Sequence, residues 1–143
     1  MALAFRNVDA AVDDPVDTWP AEAVRAALER GGLSHWRRMR AAIEADPWGP
    51  LARRVEEGIT IDPPYGTGPL FAELLAGARR RAEAAERVVV AAEIRDLLEE
   101  SGLTRAEFAS RVGTSTSRLS TYLTGSVVPS AALLVRMRRV VGR

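Results

Sequence analysis

The sequence predicts an all-α protein, and three observations carry that expectation. The chain is 47% hydrophobic but only 6% aromatic, so its apolar mass is mainly Ala, Leu and Val, a palette that favours helices over sheets. Helix-start residues recur ahead of stretches with apolar side chains three or four apart: Pro20, Ser34, Asp46-Pro47, Thr104, Ser115 and Ser130. Stop signals follow them at Gly31-Gly32, Gly58, Gly102 and Gly125.

Residues 1–17 read as an irregular or partly ordered lead. A first helix begins at Thr18 or Trp19 with Pro20 in its first turn, and it places Val24, Ala27 and Leu28 on one face. Ser34 is expected to cap a second helix carrying Trp36, Met39 and Ile43. Asp46-Pro47 opens a third, with Leu51 and Val55, that stops near Gly58. Trp19, Trp36 and Trp48, with Phe5, are expected to form the core of this N-terminal unit, an exposed patch for a partner being the alternative. The stretch Ile59 to Gly68, with Pro63-Pro64, Gly66 and Gly68, reads as the linker.

From Pro69 to about Glu100 the sequence suits one helix, which would span roughly 48 Å at 1.5 Å per residue. Gly77 and Val88-Val89-Val90 are its weak spots. Its apolar positions drift around the surface instead of keeping a heptad, which gives a coiled coil little support. Arg79-Arg80-Arg81, flanked by Glu73, Glu83 and Glu86, reads as a solvated face. Three domains result: 1–68 as a helical unit for oligomerisation or partner binding, 69–91 as a connecting helix, and 92–143 as a compact helical set.

The last segment carries the specific signal. Thr104 and Glu107 form a capping box, and Ala109 is small where a second helix must come close. Gly113 stands where the chain reverses and a positive φ favours glycine. Ser115 caps the next helix to about Thr124, with Leu119 and Tyr122 facing one core, and Gly125 ends it. Pro129-Ser130 lead into Ala131 to Val141, with Leu133, Leu134 and Met137 inward. Two short helices crossing at a sharp turn are the layout of a helix-turn-helix.

On these residues the stretch from about Ala92 to Gly142 resembles the Cro/C1-type (XRE-like) helix-turn-helix domain of bacterial and phage repressors. The resemblance rests on Gly-Leu-Thr-Arg-Ala-Glu-Phe-Ala at 102–109, the glycine-to-glycine spacing from Gly113 to Gly125, and Pro129-Ser130. It implies a lambda-repressor-like fold in which helix 115–124 lies in the major groove of double-stranded DNA. By matching positions Thr116, Ser117 and Thr121 would face bases, with Ser120 beside them and Arg118 as the one long donor. Ser115, Arg105 and Thr124 would meet the phosphate backbone. This chain departs from relatives at Thr114, where an aliphatic residue is usual, and at the uncharged Ser126-Val127-Val128 loop. Fewer phosphate contacts imply a shallower salt dependence, each contributing about −0.9 to the slope of log K against log salt. A helix rich in short hydroxyls implies modest specificity or reliance on DNA shape.

Charge points the same way. Residues 1–101 carry 13 Arg and 18 acidic residues, a balance of −5, whereas residues 102–143 carry seven Arg and only Glu107, a balance of +6. A basic segment of this kind suits a polyanion. All 20 basic residues are Arg, which fits a GC-rich coding bias and weakens any reading of each one as a phosphate clamp.

No catalytic residue is assigned. His35, the single histidine, has a packing or surface role, and there is no cysteine for a disulfide or thiolate site. Gly66-Thr67-Gly68 lacks the lysine and strand context of a phosphate loop, and no cofactor or metal is expected. No signal peptide or membrane span is read, so a cytoplasmic, nucleoid-associated location is expected. The expected function is a transcriptional regulator, a repressor acting as a homodimer. The alternative is an antitoxin-like or adaptor protein that holds a partner through its N-terminal part and autoregulates through the helix-turn-helix.

Overall fold

The structure is a computed structural model, and it describes residues 2–143. A 3-10 turn at Val16–Thr18 precedes seven α-helices: α1 Ala21–Arg30, α2 Leu33–Ala45, α3 Pro50–Ile61, α4 Thr67–Ser101, α5 Arg105–Val112, α6 Thr116–Thr124 and α7 Ala131–Val140. No strand occurs among the described residues, so the fold is all-α as expected. The helices form two compact units, Met1–Ala82 and Glu83–Arg143.

The first unit is organised around Trp19, fully buried in the extended link between the 3-10 turn and α1. Phe5 meets its ring edge-on at 5.0 Å, and the Arg38 guanidinium lies 5.3 Å from the ring centroid. Arg38 also donates to the carbonyls of Val12 and Asp14, both at 2.8 Å. The irregular lead is thus pinned by one side chain of α2 and packs Leu3, Phe5 and Val8 onto the core. Around them Val24, Leu28, Met39, Ile43, Leu51 and Val55 close the interior. Trp36 is half-buried, its indole N–H donating to the Ala27 carbonyl at 2.9 Å. Trp48 departs from expectation: it is 43% exposed, in the turn before α3, and takes no part in the core.

Several helix boundaries differ from those read in the sequence, each for a local reason. Pro20 stands just outside α1, as its N-cap. Gly32, not Ser34, caps α2, and the His35 imidazole Nδ1 accepts the Gly32 N–H at 3.0 Å. That gives the single histidine a helix-start role. Asp46-Pro47 forms a turn, and α3 begins at Pro50, whose missing N–H costs nothing at a first helical position. Gly58 does not end α3, which runs on to Ile61; Arg25 caps its open end, donating to the Gly58 carbonyl at 2.8 Å and to the Asp62 carbonyl and carboxylate.

The stretch read as a linker is helical at both ends, leaving a turn at 62–66: α3 runs to Ile61 and α4 starts at Thr67. The Thr67 hydroxyl is buried and donates to the Leu28 carbonyl at 2.9 Å, which fastens the start of α4 to the end of α1. The first part of α4 therefore belongs to the N-terminal core through Phe71, Leu75 and Ala78. Nor is the arginine run wholly a solvated face. Arg79 donates to the Pro47 carbonyl at 3.0 Å and grips the Glu56 carboxylate with both guanidinium nitrogens, at 2.7 and 3.0 Å. That hydrogen-bonded guanidinium holds the Glu56 carboxyl below its ordinary range.

Phe71 is fully buried. Phe71→Ala should lower the stability of the N-terminal unit by roughly 3–5 kcal/mol, the usual cost of emptying a buried aromatic site. Chemical denaturation followed by tryptophan emission checks this; an unchanged midpoint would mean that α4 is not a wall of that core.

Candidate nucleic-acid interface

The second unit is built on Ile94 and Leu97 of α4, Phe108, Ala109 and Val112 of α5, Leu119 and Leu123 of α6, and Leu133 and Met137 of α7. Thr104 caps α5 reciprocally: its hydroxyl accepts the Glu107 N–H at 3.2 Å, and the Glu107 carboxylate accepts the Thr104 N–H at 3.1 Å. At the other end Gly113 adopts φ 80°. Its N–H reaches the Ser110 carbonyl, and the Thr114 N–H reaches that of Ala109 at 2.9 Å, so the last turn is closed and the chain reverses. Ala109 is buried beside this reversal, and Leu119 enters the same core with Tyr122 half-buried against it.

The recognition-type helix α6 starts at Ser115, whose hydroxyl accepts the Arg118 N–H at 3.1 Å. The exposed first turn carries Thr116, Ser117 and Arg118. None of the three makes a side-chain hydrogen bond or ion pair with another described residue, so their donors are available. The hydroxyls further along α6 are arranged differently. Ser120 donates to the Thr116 carbonyl at 3.1 Å, Thr121 to that of Arg118 at 2.6 Å, and Thr124 to that of Thr121 at 3.1 Å. Ser120 and Thr121 are also half-buried, while Thr124 is exposed. With their protons turned into the helix, the Ser120 and Thr121 oxygens are left as acceptors, whereas Thr124 also meets the Ser126 hydroxyl at 3.1 Å and either of that pair can donate. Arg105 is exposed at the first position of α5, unpaired among the described residues. It shares a surface depression of about 500 Å³ with Arg95, Ser120 and Thr124.

Two structural supports of α6 were not visible in the sequence. Arg95, on α4, donates to the Leu123 carbonyl at 2.7 Å and so closes one of the open carbonyls at the helix end. Gly125, at φ 79°, brings its α-carbon so near α4 that an added Cβ would lie 3.5 Å from the Arg87 carbonyl oxygen and from the Ala91 side chain. Neither partner could be found from spacing, since both are contacts between distant segments. The loop after Gly125 exposes Val127 and Val128, about half of each.

The charge division narrows when it follows the units. Residues 1–82 hold 11 Arg and 12 acidic residues, and residues 83–143 hold nine Arg and seven acidic, a balance of +2. The acidic groups of α4 belong with the helix-turn-helix. Two of them pair across the unit: Glu93 with Arg138 at 2.7 Å and Glu100 with Arg143 at 2.6 Å. Among the described residues of this unit Arg87, Arg95, Arg105, Arg111, Arg118, Arg136 and Arg139 remain without an acidic partner.

Comparison with known families is consistent with this geometry. The profile of a family described as a helix-turn-helix domain matches residues 70–143, more than half of the chain. The protein belongs to that helix-turn-helix family. No curated protein and no solved structure matches the chain. The family points to a DNA-binding regulator. Among the described residues no helix is long and apolar enough to cross a membrane.

The Arg138 guanidinium, hydrogen-bonded to Glu93, holds that carboxyl below its ordinary range. A folded-state value below the unfolded one means that the pair stabilises fully above about pH 4.3, the ordinary glutamate value, and loses its effect as pH falls through the depressed value. Glu93→Gln should therefore lower the melting temperature at pH 7 and lower it less at pH 3. Thermal melts of both proteins at the two pH values check the sign.

Proposed function

We propose that the protein is a sequence-reading transcriptional regulator of the Cro/C1-like type, a repressor that binds double-stranded DNA through α6. The observation that carries this reading is the exposed, unpaired first turn of α6. Thr116, Ser117 and Arg118 there offer free donors at the end of the helix that enters the major groove. Arg118 is the long donor for a guanine edge or a phosphate. Ser120 and Thr121 present acceptors, which suit the exocyclic amino groups of adenine and cytosine. Ser115, Arg105 and Thr124 are assigned to the backbone; the Ser115 oxygen already caps α6, so its contribution to a phosphate is its proton. The depression shared by Arg105, Ser120 and Thr124 supports grouping them on one face.

One such helix spans few base pairs, so the reading includes a homodimer on a palindromic site with half-sites about 34 Å apart. A monomeric mass both free and on DNA would overturn that part. The adaptor or antitoxin-like alternative draws on one observation, that the first 82 residues build a separate core of their own. A co-transcribed toxin-like gene beside this one would favour it.

Two substitutions in neighbouring positions test the helix phase. Arg118→Ala should weaken binding to the protein's own promoter DNA with an unchanged melting temperature. Leu119→Ala, one residue on and fully buried, should instead destabilise the domain by roughly 2–5 kcal/mol. Gel-shift titration and thermal melts separate the two effects. Unchanged affinity in Arg118→Ala would remove Arg118 from the interface.

A further inference from the structure

The N-terminal unit has an apolar groove that its own core leaves open. On α2, Trp36 and Arg37 each lie three or four residues from both Leu33 and Arg40, so the four share a face. On α4, Leu70, Phe71 and Leu74 form the opposite wall. The enclosed space is about 330 Å³, at the small end of the ~300–1,000 Å³ typical of small-molecule sites. Leu33 and Leu70 are 59% and 48% exposed, an unusual placement for large aliphatic residues facing each other across a cleft. Apart from Arg37 and Arg40 the lining offers no free polar group, because the Trp36 indole N–H is already spent on the Ala27 carbonyl.

The rim has the opposite character. Arg40 pairs with Glu44 at 3.0 Å on an exposed, easily exchanged contact. Arg37, beside it, has neither hydrogen bond nor ion pair among the described residues. An adjoining depression continues along α4 to Arg80 and Arg81, which pair with Glu73 and Glu44. Three of the four arginines around the groove, Arg40, Arg80 and Arg81, thus share two carboxylates, and Arg37 at the mouth has none.

We infer that this groove is a binding site for a small amphipathic anion: an apolar body of about eight to ten carbons lying between α2 and α4, with a terminal carboxylate or phosphate on Arg37 and Arg40. Charge complementarity selects the occupant. An apolar body alone would make no use of the Arg37 cation at the mouth, and a polar anion alone would leave the leucine walls wet. A guanidinium fork takes either head group through two parallel hydrogen bonds. The site stands apart from nucleic-acid binding, and no residue of α5 or α6 takes part in it.

The test is titration of the full-length protein with octanoate, octyl phosphate, octanol and acetate, all below micelle-forming concentrations, followed by calorimetry. Saturable one-to-one binding of octanoate or octyl phosphate is expected, and the tighter of the two identifies the head group. Octanol and acetate should each bind at least about fivefold more weakly, since each lacks one half of the recognition. Arg37→Gln with Arg40→Gln should weaken anion binding about fivefold or more with an unchanged melting temperature, both side chains being exposed. Absence of saturable binding by either anion overturns the proposal. So does equal affinity for octanol, or no effect of the arginine pair. A halving of the solution mass in Leu33→Ser with Leu70→Ser would also overturn it, because a second copy would then own the groove.

Discussion

The reversal between α5 and α6 is the constraint on which the helix-turn-helix depends. Its two conditions are a buried alanine at 109 and a left-handed backbone at Gly113. A side chain larger than a methyl at 109 would push the two helices apart, since the interior is close-packed. A non-glycine residue at 113 would carry the roughly 1–2 kcal/mol penalty of the left-handed region. An added Cβ there would also press on the Arg136 guanidinium at 2.9 Å, a flexible group that can move aside. Backbone conformation, not space, is therefore what selects glycine at this position. Once the chain turns there, Leu119 must fall into the core, and the arc holding Thr116, Ser117 and Arg118 is left in solvent.

These local devices were legible in the sequence because each is written within a few residues. Thr104 with Glu107, Ser115, Gly113 and Gly125 all act on backbone groups at most four positions away. The N-terminal unit was less legible for the opposite reason. Its boundaries are held by long-range contacts: Arg25 caps the end of α3 on the Gly58 and Asp62 carbonyls, and Thr67 bonds Leu28 at the start of α4. A proline- and glycine-rich stretch read as a linker is then a short turn within one core. Trp48 shows the limit of composition arguments, since a large aromatic in an apolar neighbourhood stays at the surface when the turn that holds it faces outward. The features assigned to α6 by resemblance sit on one helix, but which hydroxyls keep a free proton was invisible until the backbone carbonyls were placed.

That distribution of protons gives the candidate interface a polarity along its length. The first turn of α6 holds the donors: two unengaged hydroxyls, Arg118, and the N–H groups that a helix start leaves open. The middle of the helix holds acceptors, because Ser120 and Thr121 each spend a proton on a carbonyl three or four residues back, while Thr124 at the far end also meets the Ser126 hydroxyl. The Thr121 carbonyl also takes the Ser126 hydroxyl at 3.2 Å and the Val127 N–H at 3.3 Å. This knot of hydrogen bonds, with Arg95 on the Leu123 carbonyl, fixes the C-terminal end of the helix without any charged residue from the loop that follows.

The same knot explains how an apolar loop can follow such a helix. In Ser126-Val127-Val128 the two valines are half-exposed, and neither supplies a cation to a phosphate. The backbone N–H of Val127 and the Ser126 hydroxyl instead serve α6 itself. Positive charge is concentrated elsewhere on the unit, at Arg105, Arg111, Arg118, Arg136 and Arg139, while Arg138 and Arg143 are held on α4 by Glu93 and Glu100. The net balance of +2 understates what a polyanion would meet, because the acidic residues of α4 neutralise the last helix more than they neutralise α5 and α6. Local pairing, not net charge, decides which face of a small basic unit is available to an anion.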